Sequence, residues 1–329
     1  MKKIMYSLDE TANLIRSGRF LALAADEAVL RQLPIGNWIG GTIPYFMGEQ
    51  GGFASRELVH VTDLGAAGCG ARIVEYDAAT LPGIAADAPE NGYTVLILPA
   101  QSPLHLAFAG HAEEYEDLFL KPLVGWIAGV HLDDLASTSP RVFNGLTGQG
   151  SLGDGVALHM PLPAGQVAVV RILNLFRQGQ GDVLSFPRDG FAVTDCRVNG
   201  KAANFAQYVR EAGLDTARPL VADYNGAQIN VSFQSVDLER GRVQFYAPVF
   251  ADIEYRHAAP VGDYVQEFDL QIAAHPAQAA FSCNCILNYL YGELEGKHTG
   301  EFTGPMTFGE IGYALLNQTL VYLEVVANA

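Results

Sequence analysis

The chain has 329 residues, 49% of them hydrophobic and 17% charged, with 36 acidic side chains against 20 basic ones and a formal charge of −16. That composition excludes a disordered chain, which needs low hydrophobicity and high charge to stay unfolded. The acidic excess, with no basic run to offset it, also opposes nucleic acid and anionic membrane surfaces, both of which are held by cationic side chains.

Compartment follows from similarly simple counts. The four cysteines, Cys69, Cys196, Cys283 and Cys285, are too few and too dispersed for a disulfide scaffold and read as reduced thiols. After Met1-Lys2-Lys3 the acids Asp9 and Glu10 arrive before an apolar core of a signal peptide can form. No apolar stretch approaches the ~20 residues of a membrane span. The expectation is a cytoplasmic protein with no membrane partner.

From the start, Ser7 and Glu10 have capping-box spacing, and Leu8, Ala12, Leu14 and Ile15 form the apolar face of a helix that Gly18 ends. Phe20 to Ala25 reads as a buried strand and Asp26 to Leu33 as a short helix stopped by Pro34. Gly36 to Phe46 reads as a strand interrupted by Gly40-Gly41, and Gly48 to Gly52 as a turn. Strands follow at Leu58–Val61 and Tyr93–Leu98. Gly110 to Glu116 is expected to open a helix, because its acids suit the positive end of a helix dipole. Leu123 to Val130 returns as a strand.

Beyond residue 140, β segments dominate: Val167–Leu173, Phe191–Cys196, Gln228–Phe233, Arg242–Ala247 and Asp252–Tyr255. An Asn199-Gly200 turn is expected to close a hairpin before a helix over Asn204–Glu211. The last third holds an apolar segment at Ala279–Leu290, a Gly-rich turn region at Gly300–Gly312 and a closing strand at Thr319–Val326. No short-period repeat is visible. The expected fold is α/β, or mixed α+β, with two lobes, 1–190 and 191–329, mixed sheets inside and helices outside.

Few motifs carry chemistry. Gly148-Gln149-Gly150-Ser151-Leu152-Gly153 matches G-x-G-x-x-G, but Gly155 to Pro161 after it reads as a strand, so a loop rather than a dinucleotide site is expected. His105 and His111 stand about 240° apart on a helix, and His111 with Glu114 supplies two ligands at most, so no metal site is expected. Cys283 and Cys285 point to one face of a strand and read as small buried hydrophobes, with a reactive thiol or a soft-metal ligand as the alternative. G-x-S-x-G, H-E-x-x-H and Walker A patterns are absent, and no reaction is specified.

Phe281-Ser282-Cys283, the run Gly304 to Gly312 containing Gly309-Glu310-Ile311-Gly312, and Asn317-Gln318-Thr319 together resemble the C-terminal part of the FIST family. Thr194 with Val198 to Ala203, and Ile39-Gly40-Gly41-Thr42 with Gly48-Glu49, extend the resemblance upstream. The family has Gly-Arg after the cysteine, where this chain has Asn284-Cys285-Ile286. The resemblance implies FIST-N-like and FIST-C-like lobes and a small-ligand-binding sensory module that signals through a separate protein partner. It also leaves haem open as a ligand.

The ligand-binding residues expected on these grounds are Gly40, Gly41, Thr42, Cys283, Glu310 and Asn317. The glycines would bare backbone to a ligand, Glu310 would accept from an amine or amide, and Asn317 would donate and accept. Two other classes stay open. An enzyme using Cys283 or Glu310 would need His275 or His298 nearby as a base. A protein-interaction scaffold would show a flat apolar surface instead of a pocket.

Overall fold

The computed structural model describes residues 3–65, 70–224, 227–251, 253–273 and 279–328. Cys69, His275 and Asp252 lie outside the described residues. The protein is mixed α+β, 19% helical and 43% strand. Its organisation is a repeat that the sequence does not display.

One pattern of elements occurs three times. The first unit runs through strand Met5–Tyr6, helix Leu8–Arg16, strand Phe20–Ala25, helix Glu27–Leu30, strand Trp38–Thr42, the hairpin Tyr45–Gly48 and Gly51–Ala54, and strand Val59–Gly65. The second repeats it with Arg72–Tyr76, helix Ile84–Asp87, Gly92–Pro99, helix Pro103–His111, Leu123–Ala128, the hairpin Val142–Asn144 and Gln149–Ser151, and Gly155–Pro161. The third has Gln166–Leu173, helix Tyr264–Ala273, Ala279–Cys285, helix Ile286–Tyr291, Gly304–Thr307, the hairpin Glu310–Gly312 and Ala314–Leu316, and Leu320–Ala327. In each unit the two strands flanking the second helix pair in parallel, and the last strand pairs antiparallel on the other side.

The hairpins do not stay in their own sheets. The first unit's hairpin pairs with Gly304–Thr307 of the third, the second's with Trp38–Thr42 of the first, and the third's with Leu123–Ala128 of the second. Every unit therefore supplies the missing edge of another, and the exchange closes on itself as a ring. A strand edge exposes unpaired N–H and C=O groups, and here a neighbour covers it.

The three sheets enclose one core. Ala22, Ala24 and Ile39 from the first, Val95, Ile97 and Trp126 from the second, and Phe281, Cys283 and Leu323 from the third belong to a single buried cluster. Outer faces are covered by each unit's own helices: Leu21, Leu23 and Trp38 pack with Ile15, Val29 and Leu30, while Leu96, Leu98 and Ile127 pack with Leu104 and Phe108. Strands buried on both faces are apolar without alternation. That is why Phe20 to Ala25 is buried at all six positions.

Residues between the third unit's first strand and first helix form an inserted module. It holds a six-stranded sheet, a three-stranded sheet and helix Phe205–Glu211 around Phe186, Phe205, Phe233 and Phe245. After it the chain returns to the three-unit ring, so a cut at residue 190 into two continuous lobes would part hydrogen-bonded strands. Asn199 (φ 49°) and Gly200 (φ 80°) close the expected hairpin between Val198 and Lys201.

Local expectations mostly hold where a cap or an apolar run marks them. The Ser7–Glu10 capping box is made reciprocally, at 3.3 and 2.9 Å. The G-x-G-x-x-G segment ends a hairpin and no helix follows it. Three expectations are corrected. Gly40-Gly41 lies inside strand Trp38–Thr42 and does not interrupt it; the break comes at Pro44, which has no N–H to give. The helix expected to begin at Gly110 instead runs Pro103–His111, capped by Ser102 with proline in its first turn, so Glu113 and Glu114 follow its end. The region Gly300–Gly312 contains two buried strands, not only turns.

The inserted module offers a direct test of its core. Phe205 is fully buried among Phe186, Tyr208, Phe233 and Phe245. Phe205→Ala is expected to cost about 3–5 kcal/mol in urea unfolding followed by circular dichroism. Both tryptophans, Trp38 and Trp126, lie outside the module, so their fluorescence reports the ring separately.

Candidate functional site

The residues expected to bind a ligand fall mainly inside the protein. Gly41 makes room for a side chain: a Cβ there would sit 2.7 Å from Ile97 and 2.8 Å from Trp126 Nε1. Gly40 does the same on the other face for the Trp38 ring, at 2.9 Å. The absence of a Cβ at these two positions makes room for the two indoles. Thr42 is buried and accepts from the Arg141 N–H at 2.9 Å. Its surroundings include a polar cleft of about 360 Å³ walled by Asp26, Arg31, Arg56, His131 and Asp134, where Arg56 is paired with Asp134 at 2.6 Å and Arg31 with Glu27 at 2.6 Å.

Glu310, Cys283 and Asn317 belong to the closure of the ring. Glu310 is fully buried opposite Trp126, and its carboxyl accepts from the Thr319 N–H at 3.2 Å, the Thr319 hydroxyl at 2.9 Å and the Thr307 hydroxyl at 3.3 Å. Burial pushes its pKa up to about 8, opposed by hydrogen bonds from Thr319, Cys285 and Thr307. Burial and the Glu310 charge raise both the Cys283 and Cys285 thiols, so neither is a ready nucleophile. The Cys283 thiol donates to the Gly125 carbonyl at 3.2 Å. Asn317 donates to the Leu316 carbonyl, and its own backbone carbonyl accepts from Asn230 of the inserted module. None of the three lines either cleft described here; Cys283 borders only a small void of about 10 Å³ with Met47, Thr299 and Phe302, and His298 is exposed. All three are buried and hydrogen-bonded within the protein.

A different place has the form of a binding site. At the carboxyl end of strand Gly92–Pro99 the chain turns through Ala100 and Gln101 into helix Pro103–His111. This end of a parallel strand pair is where α/β sheets leave a crevice. The walls are completed by Leu132 and Leu135, by Ile286, Leu287 and Leu290 of the third unit's second helix, and by Phe308. The inserted module closes the top with Phe191, Gln234 and Gln244 to Tyr246. The cleft measures about 440 Å³, and no lining residue is charged.

His105 is the group in this cleft with unspent chemistry. It is 5% exposed, and burial lowers its pKa to about 4, so the ring is neutral near pH 7. Its Nδ1 lies 3.1 Å from the Gln101 N–H and accepts from it, which places the ring proton on Nε2. Nε2 has no hydrogen-bond partner among the described residues. Gln101 is held at φ 61°, a left-handed conformation that costs a non-glycine residue energy and tends to mark functional turns. At the mouth Leu106, Leu135 and Leu290 are 42%, 53% and 40% exposed. Sequence reading weighed His105 only as a metal ligand; Ser102-Pro103, a cap followed by an N1 proline, was the signal that would have put it in a helix's first turn.

Comparison with family models matches residues 6–326 to DUF6976, a family of unknown function. That match overturns the resemblance to FIST. The short patterns behind it are met here by packing needs: indole-admitting glycines, a buried carboxyl and a strand-edge Asn-x-Thr. The sensory role and the separate signalling partner were implied by that resemblance alone and lose their support with it. No curated protein and no solved structure matches the chain.

Glu310 gives a prediction with a definite sign. Its folded pKa of about 8 lies above the ordinary value of 4.5, so the native state binds the extra proton between those values and stability falls as pH rises through that window. The loss is about 5 kcal/mol and is nearly complete about one unit above pH 8. Glu310→Gln keeps the shape and cannot ionise. Urea unfolding at pH 4, 6 and 9 should show the variant matching wild type at pH 4 and exceeding it at pH 9. Parallel pH profiles would mean that Glu310 titrates normally.

Proposed function

This chain belongs to the DUF6976 family, which carries no assigned activity, and we propose that it is a small-molecule-binding protein whose ligand occupies the apolar cleft between the second and third units and the inserted module. The observation that carries this reading is a cleft of about 440 Å³ without a charged wall, rimmed by exposed leucines. Its volume and lining are those of pockets that bury drug-sized ligands. Burial of apolar surface at ~25 cal/mol per Å² would supply the affinity.

Composition supports the same reading. A charge of −16 disfavours nucleic acid as the partner. Among the described residues no helix is long and apolar enough to cross a membrane. The free, buried thiols of Cys196, Cys283 and Cys285 suit a reducing compartment such as the cytoplasm.

Nile red, a neutral and environment-sensitive dye, tests the cleft directly. Wild type should bind it with enhanced, saturable fluorescence, and a dye concentration ~100 times the dissociation constant should stabilise the fold by about 2.7 kcal/mol. Leu290→Trp, at the rim, should weaken binding by filling the mouth. Gly129→Ala reaches the cleft from behind, because a Cβ at Gly129 would collide with the Phe308 ring and drive it inward. Unchanged binding in both variants would place the dye elsewhere and refute the reading.

A further inference from the structure

The unpartnered nitrogen of His105 allows the ligand's chemistry to be specified, on the reading that the cleft is the binding site. We infer that the ligand is an uncharged, largely apolar molecule carrying a hydrogen-bond acceptor, a carbonyl or ring nitrogen, that meets His105 Nε2–H.

Three observations converge on this class. The first is the orphan donor itself. The Gln101 N–H fixes the tautomer, so Nε2 must donate, and nothing among the described residues receives it. A buried donor left unmade is costly, and native structures keep few of them. The second is charge. The lining offers Gln101, His105, Gln234, Gln244 and Tyr246 as its polar groups and no ionised side chain. A carboxylate or an ammonium entering it would lose its hydration with no counter-charge in return. The third is shape and surface. Phe191, Phe245, Tyr246 and Phe308 line the same space, and Phe191 meets the His105 ring edge-on at 6.2 Å. Such walls favour an aromatic or flat body. The glutamine carboxamides can donate and accept, which suits a heteroatom-bearing ring better than a plain hydrocarbon.

A matched probe series separates this inference from the reading beneath it. Naphthalene, 2-acetylnaphthalene, 2-naphthoate and 2-naphthylmethylammonium share one apolar body and differ in head group. Binding is measured at pH 7 by calorimetry, with wild type, His105→Phe, His105→Gln and Leu290→Trp. The expected result is a ketone that binds roughly five- to thirtyfold tighter than naphthalene, the increment of one satisfied buried donor. Both ions should bind more weakly than naphthalene. His105→Phe should bind naphthalene and the ketone alike, and His105→Gln, which retains a donor, should restore the preference.

Equal binding of naphthalene and the ketone to wild type would overturn the inferred class and leave the cleft standing. Tighter binding of either ion would overturn it too. A ketone preference that survives in His105→Phe would remove His105 from recognition, as would a loss of affinity for every probe alike in both His105 variants. Failure of all four probes to bind, or binding undiminished in Leu290→Trp, would overturn the cleft itself and the class with it.

Discussion

The structure depends on the exchange of hairpins among three units. A unit by itself would present an unpaired strand edge and a sheet with one face uncovered, both of which are unfavourable in water. Passing the hairpin to a neighbour satisfies the edge with backbone hydrogen bonds, and facing the three sheets together buries their inner faces in one cluster. The ring must close for any unit to be complete. A consequence is that residues at the exchange points meet closely: Gly41 against Trp126, and Glu310 paired opposite the same tryptophan.

The buried carboxyl of Glu310 shows what closure tolerates. An ionised group at full burial would be costly; burial raises the pKa of this carboxyl, and two threonine hydroxyls and a backbone N–H are directed at it. The same arrangement ties the closing strand, through Thr319, to the hairpin that the third unit lends to the second. A polar seam continues outward through Asn317, Gln318, Asn230 and Ser232, and joins the inserted module to the ring. In these places polarity fixes how pieces meet.

The cleft arises where this repeated frame is interrupted. Each unit has a parallel strand pair whose carboxyl ends open onto helix N-termini. Between the first and second units that region is lined by ion pairs. Between the second and third it is apolar, and the inserted module roofs it with Phe191, Gln234 and Tyr246. The segment after Ala128 serves both: Gly129, His131 and Asp134 face the polar cleft, while Leu132 and Leu135 face the apolar one. One frame has thus produced two environments, and among the described residues the lining of the second includes a buried donor without a partner, His105 Nε2.

Local signals were legible in the sequence wherever a residue's own chemistry decides its backbone. Ser7 with Glu10 announced a helix start, Asn199-Gly200 a hairpin, and Phe20 to Ala25 a strand buried on both faces, because caps, left-handed turns and unbroken apolar runs act over a few residues. Composition likewise settled that the chain folds around a large core. The threefold repeat was not legible, since it lives in strand pairing between residues as far apart as Phe46 and Pro305, and many different apolar residues can fill the same strand positions. Glu310 and Gly40-Gly41 stood out as chemistry in the linear chain, yet their neighbours are Thr319, Thr307 and two indoles, brought there only by ring closure. His105 was inconspicuous for the converse reason. A lone histidine gains meaning when one nitrogen is occupied, the other is left empty, and the wall beside it comes from a distant insertion, and tertiary structure alone can decide those three things.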